Sequence, residues 1–144
     1  MLPEAIELQV VTPERHVLAE NVQSVQLPGK EGELGVLPGH APLLTELGVG
    51  VMSYRKDGAA RFLAVVHGYA EVLPDRVIVL AEIAERGEEI DVARAQQAKD
   101  RAQAELGRTP STEPEWDKAA LALQRSLVRL QAAGHAGGGS NESQ

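Results

Sequence analysis

The hydrophobic period of this chain changes once, near Gly87, and that change limits its possible folds more than any other feature. Before it, short runs such as AIELQVV (residues 5–11) alternate apolar and polar side chains, a period of two that is typical of strands with one buried face. After it, apolar residues return at helical spacing. They are Ala95, Ala98, Ala102 and Leu106. We therefore predict a β domain over residues 1–86 followed by helices over residues 87–133.

The β half consists of short strand-forming runs separated by turn signals. Its further runs are VQSVQL, VGVMSYR, RFLAVV, YAEVL and RVIVLAEI, and its turn signals are LPGK, KDG and LPDR. Glycine, proline and aspartate at such places favour tight turns between antiparallel strands. Many short strands with no helical pattern between them predict an antiparallel β-sandwich or barrel.

The helical half is predicted to form two helices joined by a turn that contains proline. Asp91 is a suitable N-cap for the first helix, and Gly107 followed by Pro110 marks its end. A second helix begins near Glu115 and carries an apolar stripe. The stripe is formed by Trp116, Ala120, Leu123, Leu127 and Leu130. Residues 134–144 contain no core-forming side chains, and we predict a flexible tail there.

Composition excludes several functions. A net charge of −7 opposes general binding to nucleic acid, which requires a basic surface. The chain has no cysteine and its four histidines lack metal-ligand spacing, so no metal site is expected. It has neither a phosphate-binding loop nor a nucleophile-elbow motif, so independent catalysis is not predicted. It also shows no signal peptide and no membrane-spanning run, and membrane association is expected only through partner proteins.

The segment GELGVLPGHAPLL, residues 32–44, permits two interpretations. Its glycines allow positive φ angles, while its prolines fix the backbone and remove two hydrogen-bond donors. It could be a wide, rigid connection that turns four apolar side chains towards the core. These are Leu34, Val36, Leu37 and Leu43. It could instead be a preshaped surface for another protein, and composition alone leaves both interpretations open.

Three parts of the chain carry a family resemblance, and in chain order they are GELGVLPGHAPLLTELGVGVM, HGYAEVLPDRVIVLAE and the two helices. Together they resemble the epsilon subunit of the F-type rotary ATP synthase, which is called delta in mitochondria. The resemblance implies an all-β sandwich of about ten strands followed by an antiparallel α-helical hairpin. It also implies a central-stalk subunit with no catalysis of its own. Such a subunit helps to couple proton flow to ATP synthesis and restrains ATP hydrolysis through its C-terminal helices.

The resemblance further implies the partners of the chain. They would be the gamma subunit, the c-subunit ring, and the alpha/beta catalytic hexamer when the helices extend. Contact with the c ring is expected at Glu31, Gly32, His40 and Ala41, the residues that match the family's loop. The protein would be peripheral to the membrane, on the cytoplasmic face of a bacterial plasma membrane or on the stromal side of a thylakoid.

The stretch IDVARAQQAKDRA, residues 90–102, resembles the ATP-binding motif of some bacterial epsilon subunits. The positions implied as ATP-binding are Glu85, Ile90, Asp91, Arg94, Ala95, Arg101, Arg125 and Arg129. Guanidinium groups suit phosphate oxygens, and small alanines let a flat adenine approach the helix. ATP would be a regulatory ligand, with no cofactor required. Spacing alone favours a solvated helix face for these arginines, and the alternative function is a free-standing ATP-binding sensor module.

Overall fold

A computed structural model describes residues 3–137 of the chain. The elements in chain order are β1 (Ile6–Val11), β2 (His16–Val22), β3 (Ser24–Gly29), β4 (Gly32–Val36), β5 (Leu43–Lys56), β6 (Ala59–Leu73), β7 (Arg76–Arg86), a short 3-10 turn (Gly87–Glu89), α1 (Val92–Arg108) and α2 (Pro114–Gly137). The predicted change from strands to helices is therefore confirmed.

The strands form one hydrogen-bonded sheet in the order β2-β1-β7-β6-β5-β3-β4. Neighbouring strands are antiparallel except β1 and β7, which are parallel. The sheet folds over on itself, because β5 contacts β2 although several strands lie between them in this order. The Tyr54 hydroxyl of β5 donates to Glu20 of β2 at 3.0 Å, and the Gln23 amide donates to the Arg55 carbonyl at 2.7 Å. The apolar inner face thus closes into the core of a sandwich.

The described residues contain seven strands where the family resemblance implies about ten. Strands β5, β6 and β7 are long, with 14, 15 and 11 residues, and β6 joins two runs that were predicted separately, RFLAVV and YAEVL. In β6 the core-facing residues change parity at a bend, from Leu63 and Val65 to Ala70 and Val72. The bend lies at His67 and Gly68, which have φ angles of 52° and 141°, and the pairing with β5 and β7 keeps the same register on both sides of it. A side chain on Gly68 would collide with the backbone of β7, so glycine is required at this bend.

The sequence prediction missed two of these strands. Residues 16–22 form β2, and Gly32–Val36 forms β4 rather than part of a connection. Within the segment 32–44, Val36 is buried and Leu34 packs against the core. Leu37 and Leu43, however, are 66% and 40% exposed, so the interpretation in which all four side chains turn inward holds for only two of them. Leu37 lies in the loop after β4, and Leu43 is the first residue of β5.

Both helices begin where capping chemistry places them. Asp91 is the N-cap of α1, and its carboxylate accepts from the Arg94 amide at 3.1 Å. Pro114 is the first residue of α2, a position that needs no backbone donor. The predicted apolar stripe of α2 is only partly correct, since Leu127 is 46% exposed. The buried face is rotated from it and consists of Ala119, Ser126, Val128 and Ala132. Helix α2 runs on to Gly137, and the rest of the predicted tail lies outside the described residues.

The helices lie against the outside of the sandwich through a second apolar cluster. Ala64 of β6, Ile90, Ala95 of α1, and Val128 and Ala132 of α2 form its buried centre. Val49 and Val51 of β5 pack against it at the edge. This cluster is separate from the sandwich core, so the middle of β6 is covered on both faces.

Candidate functional site

A large cavity lies between the two helices and the outer face of β6 and β7. Its volume is about 740 Å³, within the range of small-molecule sites. The β domain provides its floor, with Ala64, Val66, Ile83 and Glu85. Helix α1 lines one side with Ala98, Arg101, Ala102 and Glu105. Helix α2 lines the other with Glu115, Lys118, Ala119, Ala122, Arg125, Ser126 and Arg129.

The charged groups of this cavity centre on a two-point ion pair. Arg129 donates to the Glu85 carboxylate through Nε at 2.8 Å and through Nη2 at 3.1 Å. The two side chains are 27% and 29% exposed, so the pair is partly shielded from water. This geometry holds the guanidinium plane in one orientation. Arg101 and Arg125 line the same cavity, and a bound anion would meet three guanidinium groups there.

Small side chains give the cavity its depth. Ala98 and Ala102 project from α1, and Ala119 and Ala122 from α2, so the helices leave room between them. The Ser126 hydroxyl is already satisfied, since it donates to the Ala122 carbonyl at 2.9 Å. The walls are therefore mostly apolar, with the cations grouped along the helices. Such a site suits a ligand with one flat apolar part and one anionic part.

Four of the eight residues implied by the ATP-motif resemblance line the cavity, namely Glu85, Arg101, Arg125 and Arg129. The other four do not line it. Ile90 and Ala95 are buried in the apolar cluster under the helices. Asp91 uses its carboxylate as the N-cap of α1, and Arg94 is exposed. These four residues shape the start of α1, while the arginines nearer the middle of each helix face the cavity.

Sequence reasoning did not single out the apolar floor of the cavity or three of its charged residues. Val66 and Ile83 lie in runs that were predicted as strands, and Glu105, Glu115 and Lys118 were assigned no role in a site. One signal was available for the floor. The run RFLAVV, residues 61–66, is continuously apolar from Phe62 onward, and such a run is typical of a strand covered on both faces.

The residues implied for c-ring contact lie in two neighbouring segments. Glu31 and Gly32 are exposed in the β3–β4 hairpin, and Ala41 is exposed in the loop before β5. His40 is half-buried, and its Nδ1 lies 2.7 Å from the Ala41 carbonyl oxygen. Backbone hydrogen bonds hold both segments. The Lys30 amide donates to Glu46 at 2.9 Å, and the Gly39 amide donates to Pro74 at 2.8 Å.

An apolar strip crosses the outer face of the sheet beside these segments. Strand pairing places Tyr69 of β6 between Glu46 of β5 and Leu80 of β7. Tyr69 is 53% exposed and Leu80 is 55% exposed. Leu44 lies two residues before Glu46 on β5, on the same face of the sheet, and is 71% exposed. We call Leu44, Tyr69 and Leu80 the outer apolar strip; with its acidic neighbour Glu46 it is a surface suited to another protein.

A polar network away from the cavity ties the two layers of the sandwich together. Glu20 of β2 accepts from Tyr54 and from Lys56 of β5. The hydrogen bond from Lys56 lowers the pKa of Glu20 below its usual value. Burial, reinforced by the hydrogen bond to Glu20, raises the pKa of Tyr54 to about 12. Nearer the helices, the Arg15 guanidinium lowers the pKa of Glu89 in the 3-10 turn.

Residues 3–137 contain no group of three or more histidine, aspartate or glutamate side chains placed to hold a metal ion. Neither α1 nor α2 is long and apolar enough to cross a membrane.

The fold defines a class of small protein in which a β-sandwich is followed by two helices packed against it, here with an arginine-lined cavity between them. Two family models match the chain. The β-sandwich domain of the ATP synthase delta/epsilon chain matches residues 5–87, and its long α-helix domain matches residues 88–134. The chain belongs to the ATP synthase delta/epsilon family.

Individual relatives agree with the family models. ATP synthase epsilon chain 2 of Syntrophotalea carbinolica is 47% identical over 138 residues, which is 96% of this chain and 100% of that one. The epsilon chain of Koribacter versatilis is 53% identical over 105 residues, 73% of this chain and 74% of its own. These relatives are non-catalytic subunits of the synthase, and the prediction that this chain is a non-catalytic subunit of an enzyme complex is confirmed.

Solved structures give the same result. A chain in the cryo-EM structure of Euglena gracilis mitochondrial ATP synthase (OSCP/F1/c-ring, rotational state 1) has a TM-score of 0.79 at 25% identity. The match covers 92% of this chain and 83% of that one. A chain in the central stalk/c-ring structure of Tetrahymena thermophila mitochondrial ATP synthase has a TM-score of 0.54 at 18% identity, covering 87% and 92%. The second similarity supports the fold alone.

Proposed function

We propose that this chain is a central-stalk subunit of a proton-translocating ATP synthase, which joins the gamma subunit to the c-subunit ring and couples rotation to ATP synthesis. The observation that carries the proposal is its similarity, along nearly the whole chain, to a chain of the Euglena synthase assembly. The complex lies at a membrane, so the chain is peripheral to that membrane, on the cytoplasmic face in a bacterium.

Each partner has a different surface of the sandwich. The outer apolar strip meets gamma, because three exposed apolar side chains on a rigid sheet are stabilised when a partner covers them. The hairpin at Glu31 and Gly32 and the loop at His40 and Ala41 meet the c ring. The backbone hydrogen bonds of both segments support this role, since a preformed loop loses little conformational entropy on binding.

The test is reconstitution of synthase depleted of this subunit. Tyr69→Asp should weaken association with gamma and lower coupled ATP synthesis, because it places a charge within the outer apolar strip. Val92→Asp is the matched control, since Val92 is 52% exposed but lies at the start of α1, where an acidic residue is favourable. Equal activity of the two variants would show that the outer apolar strip does not contact gamma. ATP binding by an isolated chain that fails to associate with gamma would favour a free-standing sensor.

The helices regulate ATP hydrolysis in this proposal. They form an antiparallel hairpin: Ala95 near the start of α1 shares a cluster with Val128 and Ala132 near the end of α2, while Glu105 and Glu115 line the same cavity. The hairpin rests on the sandwich in one state. In the other it extends towards the alpha/beta hexamer and inhibits hydrolysis.

ATP is the regulatory ligand of the folded state. Its phosphates bind Arg101, Arg125 and Arg129, and its adenine lies against the alanines of the cavity wall. Because these arginines come from both helices, ATP binds tightly only while the helices are together. A ligand that prefers one state shifts the equilibrium towards it, by about 2.7 kcal/mol at a hundredfold excess over the dissociation constant.

Titration of the isolated protein with ATP tests this regulatory role. Trp116 is the only tryptophan of the chain and lies between two cavity-lining residues, Glu115 and Lys118. We expect its fluorescence to change with saturation on adding ATP and less on adding inorganic phosphate. A linear response identical for both ligands would exclude the cavity as an ATP site.

A further inference from the structure

Gly87 lies where α2 comes closest to the end of the β domain. It is buried and directly follows β7. A Cβ atom on Gly87 would be 2.5 Å from the carbonyl oxygen of Ala132 and 3.1 Å from the Cβ of Ala136. The first distance is about 1 Å inside the separation at which non-bonded heavy atoms attract each other. Both obstructing atoms belong to α2.

The backbone at Gly87 does not itself require glycine. The described glycines with positive φ are Gly32, Gly39, Gly58 and Gly68, and Gly87 is not among them. Alanine could therefore adopt this backbone conformation without strain. The position excludes a side chain only because α2 is packed on it.

This contact sets how deeply α2 sits over the cavity. Gly87 is two residues after Glu85, and Ala132 is three residues after Arg129, so the close contact lies almost one helical turn from the ion pair. The Arg129 Nη2–Glu85 distance is already 3.1 Å, near the upper end for such a bond. Raising α2 by about 1 Å would lengthen this bond beyond that range.

An aromatic contact also holds the end of α2 against the β domain. The rings of Phe62 and His135 stack with centroids 4.5 Å apart and planes 18° from parallel. Ala132 is fully buried, and its carbonyl oxygen is the atom that a Cβ on Gly87 would meet. The end of α2 is therefore held on the β domain by the Gly87 contact and by the Phe62–His135 stack.

We propose that Gly87 is a positioning residue for the nucleotide site: it lets α2 descend far enough for Arg125 and Arg129 to reach the cavity. The requirement exists only in the folded state, because an extended hairpin removes Ala132 and Ala136 from Gly87. A side chain at residue 87 therefore shifts the balance towards the extended hairpin without changing any ligand-contacting group. This proposal rests on the ATP-regulated hairpin proposed above.

The test compares Gly87→Ala with two control variants, Gly134→Ala and Gly107→Ala, in the full-length protein. Gly134 is on α2 and Gly107 is on α1, and a Cβ at either position meets nothing within 4 Å. Gly87→Ala should weaken ATP binding about tenfold or more, since apparent affinity falls with the fraction of molecules in the competent state. The controls should bind ATP as the parent protein does, or slightly more tightly.

Two further measurements separate positioning from general damage. In NMR spectra, the Arg129 Nε–H resonance should move in Gly87→Ala and stay in place in the controls. Amide hydrogen exchange should quicken in α1 and α2 but remain unchanged in β1–β7. Equal quickening in the strands, or an Arg129 resonance that does not move, would overturn the proposal.

These measurements also distinguish this proposal from the nucleotide proposal. If the parent protein binds no ATP, the nucleotide role fails. The hydrogen-exchange and NMR results then test only the role of Gly87 in positioning α2. Faster exchange confined to the helices and a shifted Arg129 resonance support that role, and the absence of these changes overturns it.

Discussion

The β domain and the helical pair are held together by different kinds of side chain. The sandwich core contains large aliphatic residues that are completely buried, among them Ile6, Leu8 and Leu63. The interface between helices and sandwich relies on alanines such as Ala95 and Ala132, and its larger buried side chains are Ile90 and Val128. Because hydrophobic stabilisation grows with buried apolar area, the sandwich is the stable body and the helices are held weakly. The detachment of the helices proposed above requires this difference.

The largest expected effect is a loss of stability from the sandwich core. Leu63→Ala should lower the free energy of unfolding by about 2–5 kcal/mol, because it leaves a cavity in a packed core. Val128→Ala removes two methyl groups from the helix interface, at about 0.8 kcal/mol each. Urea denaturation followed by circular dichroism would compare the two. In Val128→Ala, amide hydrogen exchange should become faster in the helices only. Faster exchange in the strands as well would contradict the difference in stability between the two regions.

The second prediction concerns the cavity between the two regions. Arg129→Ala should weaken ATP binding tenfold or more, since a charge-assisted hydrogen bond contributes about 1.5–3 kcal/mol. It also leaves Glu85 without the donors it has at 2.8 and 3.1 Å. Isothermal titration calorimetry would measure the change.

Two other arginines provide the controls for this experiment. Arg108→Ala removes an exposed arginine near the end of α1 that pairs with Glu105 and does not line the cavity. Arg94→Ala should have a smaller effect than Arg129→Ala, because Arg94 is exposed outside the cavity. An equal loss for Arg94 and Arg129 would mean that ATP binding draws the start of α1 over the cavity.

The two regions also differ in how well sequence predicts them. Period two and period 3.6 identified strands and helices, and Asp91 marked the helix start, because these signals are local. The strand count implied by the resemblance was higher than the seven strands observed, and β6 joins two runs that were predicted separately. The bend at Gly68 in β6 depends on contacts with β7. The rotated face of α2 was missed because leucine spacing identifies an apolar stripe but not which side meets the sandwich.

The candidate site shows the same limit. Arg101, Arg125 and Arg129 could be selected from sequence because they match a motif or a helical spacing. Their convergence with Val66 and Ile83 depends on how the helices dock, which no local pattern encodes. The resemblance also implied ATP-binding positions, such as Ile90 and Asp91, that are used here for packing and capping.

Replacement of the N-cap gives the third prediction and separates capping from ligand contact. Asp91→Ala should destabilise the start of α1 by about 1 kcal/mol, because the Arg94 amide loses its acceptor. Asp91→Asn keeps a capping oxygen but removes the charge. If capping is the role of Asp91, the asparagine variant should bind ATP like the parent and the alanine variant more weakly. Weak binding by both variants would assign the carboxylate a direct role in the ligand site.

The smallest expected effect is on the sandwich and depends on pH. Glu20 joins β2 to β5 through Tyr54 and Lys56, and this environment lowers its pKa below the usual 4.5. Folding therefore favours the ionised carboxylate. The resulting stability is fully present above pH 4.5 and is lost as the pH falls through the lower folded pKa. Since the pair is partly exposed, with side chains 42% and 26% accessible, the contribution should be within about 1 kcal/mol.

Tyr54 produces the opposite dependence at alkaline pH. Its pKa in the folded protein is about 12, against an ordinary value of 10.0, so folding favours the protonated phenol. As pH rises from 10 towards 12, the unfolded chain loses this proton first and the stability of the fold falls. Tyr54→Phe should remove the contribution of Tyr54 to the alkaline decrease, and Glu20→Gln should reduce the acidic decrease, to which Glu89 also contributes. Denaturation curves measured across pH should show both changes in the strands. ATP affinity near neutral pH should not change in either variant, because the network and the cavity share no residue; a change in affinity would show that the two regions are coupled more tightly than their packing indicates.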